Sequence, residues 1–169
     1  AFALLRGLAS SDGGKLGNFF VDVVRAVLYV LLPLSLVLAL VGVWQGSPQT
    51  FQGYEMVQLL EPVSVDAEGA LVDADDPTAV QEVTEAVIPL GPQSSQVAIK
   101  QLGTNGGGFN GANSASALEN PTPLTNLLQC AAMPLIPFAL VFAFGRMVGD
   151  RRQSRALMTV VLAILAAGL

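Results

Sequence analysis

The chain has 169 residues, of which 52% are hydrophobic and 12% are charged, and its formal net charge is −5. Soluble domains carry about 25% charged residues, so this composition indicates a membrane protein with no nucleic-acid partner rather than a soluble enzyme. Because the sequence has no histidine and only one cysteine, Cys130, it excludes a histidine-based catalytic or metal site and a disulfide within the chain.

The first apolar run, residues 1–9, is too short to cross a bilayer and is interpreted as the end of a preceding transmembrane helix. Residues 10–17 are predicted to be a cytoplasmic linker. Residues 26–44 are 19 residues without a formal charge, about 28 Å long as a helix, and they predict a transmembrane helix over residues 18–45.

Several features of this first transmembrane helix follow from its residues. Asn18 or the glycine before it can begin the helix, and Asp22 and Arg25 are spaced i, i+3, so we expect them to form an ion pair. Pro33 has no N–H and is expected to kink the helix, whereas Gly42 is expected to allow close packing against a neighbouring helix.

Residues 46–90 have short polar and apolar alternations and many turn residues, which predict an acidic loop outside the bilayer. Within this loop, residues 56–60 and 70–73 are candidates for short strands. Residues 91–102 are then predicted to form a helix of about three turns, with a proline near its start and a glycine after its end. This helix is too short to cross a bilayer.

A glycine-rich loop follows over residues 103–119, and it carries no charge before Glu119. Non-helical backbone is tolerated at membrane depth only where protein buries it or where it lines a water-filled cavity. A half-length helix followed directly by such a loop is typical of a re-entrant pore helix and an ion-selectivity filter. We therefore interpret residues 91–102 as a pore helix and residues 103–119 as a selectivity-filter loop.

The last part of the chain is apolar again. Residues 120–148 are predicted to form a second transmembrane helix, with Asn120 or Thr122 as its N-cap. A basic cytoplasmic loop is expected over residues 149–155, and residues 156–169 are interpreted as the truncated start of another transmembrane helix. Because the apolar runs at both ends are too short to span, we expect the chain to be a piece of a longer polypeptide.

Charges are distributed unevenly along the chain. Residues 46–123 contain ten acidic residues and one basic residue, Lys100, whereas the other seven basic residues flank the apolar segments on the opposite side. Basic residues favour the cytoplasmic side of a membrane. We therefore predict that both chain ends are cytoplasmic and that the acidic loop is extracytoplasmic.

The glycine-rich loop has the residue types that a site for a dehydrated monovalent cation requires. Such a cation needs many oxygen ligands of moderate field strength, which backbone carbonyls supply if successive peptides point inward. Glycines at residues 106–108 permit those dihedral angles, and Thr104 and Asn105 can add side-chain oxygens or hydrogen bonds that hold the loop. The absence of a carboxylate over residues 103–114 argues against calcium or magnesium. One loop offers only a few oxygens, so other loops would have to complete the site.

Three other interpretations of the glycines were weighed. A phosphate-binding P-loop needs a lysine and a serine or threonine after its last glycine, where this chain has Phe109 and Asn110. Gly106, Gly108 and Gly111 match the spacing of a dinucleotide-binding turn, but the preceding segment looks helical rather than extended. A flexible linker between helices is the third alternative.

Several segments of the chain together resemble one family, the potassium-binding A subunit of the bacterial Kdp-type potassium-transporting ATPase. The resemblance covers nearly the whole chain. It is carried by residues 17–19 (GNF), 31–36 (LLPLSL), the helix over 91–100, 103–109 (GTNGGGF), 112–115 (ANSA), 119–122 (ENPT) and 144–152 (FGRMVGDRR).

This resemblance implies an all-α membrane protein with a transmembrane helix, an extracytoplasmic loop, a re-entrant pore helix with its filter loop, and a second transmembrane helix. The chain would be the second of four such repeats in a pseudo-fourfold, potassium-channel-like subunit. The resemblance also implies that the potassium ion is bound mainly by backbone carbonyls of Thr104, Asn105, Gly106, Gly107 and Asn113.

The resemblance further implies an ATP-driven, high-affinity potassium uptake complex in the bacterial plasma (inner) membrane. ATP would be bound and hydrolysed by a separate P-type catalytic subunit, so that this chain binds no ATP and has no catalytic residue. The implied partners are the remaining repeats of the same subunit, the P-type ATPase catalytic subunit, small accessory subunits and the lipid bilayer.

Two other functions fit the same residues. One is a passive or ion-coupled potassium channel or transporter module without an ATPase partner. The other is a structural membrane module whose glycine-rich loop only packs helices together.

Overall fold

The computed structural model describes residues 2–9, 17–73, 77 and 80–168. The linker predicted over residues 10–17 lies outside the described residues except for Gly17. The described elements are α1 (Phe2–Ala9), α2 (Phe19–Ala26), a π-helical turn (Val27–Leu31), α3 (Leu32–Trp44), β1 (Tyr54–Val65), β2 (Leu71–Val72), β3 (Gln81–Pro89), α4 (Gln93–Gly103), a 3-10 turn (Ala112–Ser114), α5 (Pro123–Val148) and α6 (Arg151–Gly168).

The first long helix, Phe19–Trp44, combines α2, the π-helical turn and α3. It begins as predicted at Asn18, whose side-chain oxygen accepts hydrogen bonds from the next helical N–H groups at 3.0 and 3.3 Å. Pro33 lies just after the π-helical turn, near the first residue of α3. A proline can neither donate to the carbonyl four residues earlier nor fit against it, so the wider turn replaces the regular helix at this point.

Asp22 forms its ion pair with a different partner from the one predicted. The guanidinium of Arg6 in α1 contacts both oxygens of the Asp22 carboxylate, with Nη2 to Oδ1 at 2.9 Å. The prediction of a pair with Arg25 was therefore wrong. A bidentate guanidinium contact from a second helix is geometrically better than a pair along one helix, and it joins α1 to α2.

The described residues are mostly helical, as predicted, but the prediction of an all-α chain was wrong over residues 46–90, which contain a three-stranded antiparallel sheet with the order β2-β1-β3. β1 and β3 pair from Tyr54 opposite Pro89 to Val65 opposite Gln81, with an irregularity between Gln58 and Val63. The two candidate strands at 56–60 and 70–73 fall within or around β1 and β2, whereas β3 was not predicted. Pairing with β1 supplies the backbone hydrogen bonds that local sequence could not reveal.

α4 packs against α3 on one side and α5 on the other. Its N-terminal half approaches Gly42 so closely that a side chain at that position would overlap the Ser94 hydroxyl, which donates to the carbonyl of Ala39 at 2.8 Å. The predicted packing role of Gly42 is confirmed. Among the described residues, α4 contains seven of the fifteen that are buried, namely Gln93, Ser94, Val97, Ala98, Lys100, Gln101 and Leu102.

The second long helix, α5, begins at Thr122. The Thr122 hydroxyl accepts from the Thr125 N–H at 3.2 Å, and the Thr125 hydroxyl accepts from the Thr122 N–H at 3.0 Å, which completes a capping box. Of the two predicted caps, Thr122 is therefore the one used. The helix continues through Pro134 and Pro137 to Val148.

The turn between α5 and α6 is shorter than predicted. Gly149 ends α5 in the left-handed conformation, with φ +76°, and the Asp150 carboxylate accepts from the Arg152 N–H at 2.8 Å. α6 therefore begins at Arg151, and the loop predicted over residues 149–155 is wrong beyond Asp150. A glycine and an aspartate are enough to end one helix and begin the next.

Two helices, Phe19–Trp44 and Pro123–Val148, are long and apolar enough to cross a membrane. Each has 26 residues, and almost none of their apolar windows is buried within the described part of the chain. The core helix of a soluble protein would be mostly buried, so these exposed faces require lipid or additional protein around them.

Candidate cation-binding loop

The glycine-rich loop, residues 103–119, leaves α4 by a left-handed turn. Thr104 caps α4 with φ +50° and ψ +34°, and the Asn105 N–H donates to the Lys100 carbonyl at 3.3 Å. A non-glycine residue in this conformation is strained by about 1–2 kcal/mol. The turn directs residues 104–107, which we call the outgoing half of the loop, away from the helix axis.

The outgoing half is exposed along its whole length. The Thr104 hydroxyl donates to the Gly103 carbonyl at 2.8 Å, and the Asn105 side-chain oxygen accepts from the Gly107 N–H at 2.9 Å. Both polar side chains therefore bond within the loop and fix its local shape. The peptide oxygens of this segment are the groups that remain to be offered to a ligand.

The glycines of the loop serve two different needs. Gly106 has φ +71° with no atom near the position of a Cβ, so only its dihedral angle favours glycine. Gly108 has φ +132°, and a Cβ there would lie 2.9 Å from both the Glu119 Oε1 and the Lys100 Nζ. A side chain at 108 would therefore have to displace the ends of these two buried side chains as well as adopt a strained conformation.

A buried ion pair lies directly behind the loop. The Lys100 ammonium contacts the Glu119 carboxylate, and the two side chains are only 2% and 1% exposed. Lys100 also donates to the Gly111 carbonyl at 3.3 Å, and Glu119 accepts from the Asn110 N–H at 3.3 Å. Because buried charges are stable only when paired and hydrogen-bonded, this arrangement holds residues 108–111, the return half of the loop, against α4.

Side-chain amides from α4, the loop and α5 extend this hydrogen bonding around the pair. The Asn110 side chain donates to Gln93 at 2.9 Å, and Gln93 in turn donates to the Pro89 carbonyl at 2.7 Å. Gln129 of α5 donates to the Glu119 carbonyl at 2.9 Å. Every buried side-chain polar atom among the described residues has a partner, so the base of the loop is a fully satisfied polar network.

Four of the five predicted site residues lie in the outgoing half of the loop, and the fifth lies in the 3-10 turn. Thr104, Asn105, Gly106 and Gly107 are consecutive and exposed. Asn113 is also exposed, with φ +63°, but it belongs to the 3-10 turn, and no described hydrogen bond joins it to the other four. Its neighbour, Ser114, is buried and accepts from Gln101 at 2.9 Å.

Comparison with known proteins decides the family. The whole chain, residues 1–169, matches the family model described as KdpA, the potassium-transporting ATPase A subunit. The chain belongs to this family. The resemblance drawn from the loop and the flanking segments is therefore confirmed, and membership of the potassium-transporting ATPase A subunit family together with the two long apolar helices makes this a membrane protein.

Relatives in several bacteria are named potassium-transporting ATPase potassium-binding subunit. The chain is 55% identical to that of Solidesulfovibrio magneticus over 166 residues, which is 98% of the chain and 28% of the relative. It is 51% identical to that of Pseudomonas entomophila over 166 residues, which is 98% and 26%, and 50% identical to one from Clostridium botulinum over 160 residues, which is 95% and 26%. The chain thus spans little more than a quarter of the length of these relatives.

Sequence reasoning about this A subunit segment missed the buried pair. Lys100 and Glu119 were noted only as a lone base and as the end of the loop. They are nevertheless the only two charged residues between residues 86 and 145, and they flank the glycines. Two isolated opposite charges on either side of an uncharged loop are a signal that could have identified the pair, since unpaired charges in an apolar region are costly.

Proposed function

We propose that this chain is one helix–pore–helix repeat of the potassium-binding subunit of an ATP-driven potassium uptake complex. Its part is to supply one of four selectivity-filter loops. The observation that carries the proposal is the exposed outgoing half of the glycine-rich loop, which has no carboxylate, with a buried polar network behind the loop, in a chain of the potassium-transporting ATPase A subunit family.

The proposed potassium ligands are mainly backbone carbonyls of Thr104, Asn105, Gly106 and Gly107, with Asn113 nearby. Backbone carbonyls replace the water around a potassium ion at moderate field strength, whereas carboxylates would favour divalent cations. The Thr104 and Asn105 side chains already bond within the loop, which supports a role for the peptide oxygens. The other repeats of the subunit would provide the remaining ligands.

The proposal also includes the membrane that contains the loop and the subunits around it. The longer protein would cross the bacterial plasma membrane several times, with both ends of this chain in the cytoplasm and the acidic sheet outside, where it attracts cations. A separate P-type subunit would bind and hydrolyse ATP, and small accessory subunits would complete the complex. The exposed apolar faces of the two long helices are consistent with lipid and with further repeats of the subunit as neighbours.

Gly106→Asp in the full-length subunit tests this function. We expect a weaker apparent affinity for potassium or a loss of selectivity against sodium, because the new carboxylate adds a strong-field ligand to the site. The measurement is ATP-dependent potassium uptake into vesicles that contain the whole complex, with the membrane potential collapsed.

Gly69→Asp is the matched control for this experiment. Gly69 is exposed in the turn between β1 and β2, has a similar φ of +81° and also has no atom near the position of a Cβ, so the strain and the added charge are alike. We expect that variant to transport potassium as the parent does. If Gly106→Asp also leaves the potassium dependence and the selectivity unchanged, the structural-module alternative is favoured instead.

A further inference from the structure

We infer that Lys100 and Glu119 are positioning residues that set the shape of the loop and thereby its discrimination between potassium and sodium. The inference rests on the proposed function of the loop in potassium binding. Neither side chain is proposed to touch the ion. Both are buried behind the loop, and both bond its backbone.

The pair holds the return half of the loop through two hydrogen bonds to its backbone, one in which the pair donates and one in which it accepts. Lys100 supplies a donor to the Gly111 carbonyl, and Glu119 supplies an acceptor for the Asn110 N–H, each at 3.3 Å. At Gly108 the backbone passes so close to the ammonium and the carboxylate that no Cβ fits between them. The position of residues 108–111 therefore depends on where these two charged groups lie.

The outgoing half, by contrast, is held only locally. Among the described residues, its side-chain hydrogen bonds run from Thr104 to Gly103 and between Asn105 and Gly107. Its placement is therefore determined by its two ends, which are the C-terminus of α4 and the anchored return half. A change at Gly108 would move the neighbouring peptide oxygens of the proposed site.

Such a movement would affect selectivity before it affects binding. Whether a filter distinguishes potassium from sodium by cavity size or by the number and field strength of its carbonyls, the oxygens must keep their positions. The pair also carries no net charge, so it acts on cations at the loop only as a dipole. Removing either charge would alter both the shape and the local potential.

Exchanging the charges of Lys100 and Glu119 tests whether the pair positions the loop or only keeps the buried site electrically neutral. Lys100→Glu combined with Glu119→Lys keeps a buried ion pair, but the introduced carboxylate cannot donate to the Gly111 carbonyl and the introduced ammonium cannot accept from the Asn110 N–H. We expect the exchange to restore the amount of assembled complex relative to Lys100→Glu alone. We also expect the potassium-over-sodium selectivity of uptake to stay reduced by about tenfold, equivalent to about 1.4 kcal/mol.

Glu119→Gln is the milder variant. It tests the positioning role if the subunit with exchanged charges does not assemble into the complex. It keeps the size of the side chain and an oxygen for the Asn110 N–H, but it leaves the Lys100 ammonium without its carboxylate. We expect an assembled complex with a reduced potassium-over-sodium selectivity of uptake and, with it, a weaker apparent affinity for potassium. Glu85→Gln, the same change on an exposed residue of β3, is the control and should behave as the parent does.

The inference is overturned if the exchange returns both assembly and selectivity to the parent values, because neutral charge would then be sufficient. It is equally overturned if Glu119→Gln assembles with the affinity and selectivity of the parent. Gly106→Asp distinguishes a failure of the positioning role from a failure of the proposed function. If that variant changes selectivity and the pair variants do not, only the positioning role fails; if that variant changes nothing, the proposed function itself fails.

Discussion

Lys100→Met is expected to lower the free energy of unfolding of the subunit by about 3–5 kcal/mol, the usual effect of removing one partner of a buried ion pair. The substitution leaves the Glu119 carboxylate unpaired in a site where its side chain is 1% exposed. It also removes the donor to the Gly111 carbonyl. The measurement is thermal or denaturant unfolding of the purified full-length subunit in detergent.

A double-mutant cycle and a second ion pair serve as controls for Lys100→Met. Lys100→Met with Glu119→Met should recover part of the loss, since no charge is then buried, but not all of it, because the Asn110 N–H loses its acceptor. Arg6→Met breaks a pair whose side chains are 35% and 19% exposed, so we expect a smaller loss. A Lys100→Met subunit as stable as the parent would contradict the buried-pair account.

Gly108→Ala is expected to have the second large effect, a severe loss of potassium uptake together with reduced stability. The positive φ strains an alanine by about 1–3 kcal/mol. The added methyl group would also lie 2.9 Å from atoms of both Lys100 and Glu119, and relieving that overlap adds about 1–3 kcal/mol. The measurement is ATP-dependent uptake, normalised to the amount of assembled complex.

Gly111→Ala isolates the contribution of the contact at Gly108. Gly111 lies in the same loop with φ +88°, but no atom lies within 4 Å of its Cβ position. It therefore carries the conformational strain without the overlap, and we expect a clearly smaller loss of uptake. Equal losses in the two variants would show that the ion pair has no steric role at residue 108.

The features that could be predicted from the sequence are those that local chemistry determines. The uncharged run over residues 26–44 can be stable only as a helix in a bilayer, and Asn18 and Thr122 are the side chains that satisfy helix N–H groups. Gly42 was predicted to be a close-packing position, and Ser94 lies against it. Each of these inferences needs only a few neighbouring residues.

The features that were missed depend on contacts between distant residues. β3 is stabilised by pairing with β1. Most of its residues are exposed, and its alternating polar and apolar residues resemble a loop when the segment is considered alone. Arg6 reaches Asp22 across sixteen positions, in place of the nearer Arg25. Contacts between residues so far apart in the sequence can be identified only from the tertiary structure. Many residues could be the partner at such a separation, and sequence spacing does not distinguish among them.

The residue types of the candidate site could be predicted from the sequence, but the contacts that hold the loop in place could not. The glycines at 106–108 were expected to permit unusual dihedral angles; Gly106 and Gly108 have positive φ, whereas Gly107 does not. Thr104, however, adopts the left-handed conformation without being a glycine, which its residue type does not predict. The Lys100–Glu119 pair also escaped prediction, because its members are nineteen positions apart on either side of the loop.

The most direct test of the account is to locate a heavy potassium substitute in the full-length subunit by anomalous diffraction of crystals containing thallium(I). The account predicts an anomalous peak in direct contact with peptide oxygens of residues 104–107, and loss of that peak in Gly106→Asp but not in Gly69→Asp. A subunit that transports potassium yet shows no peak at this loop, with the loop oxygens all hydrogen-bonded to protein, would contradict it.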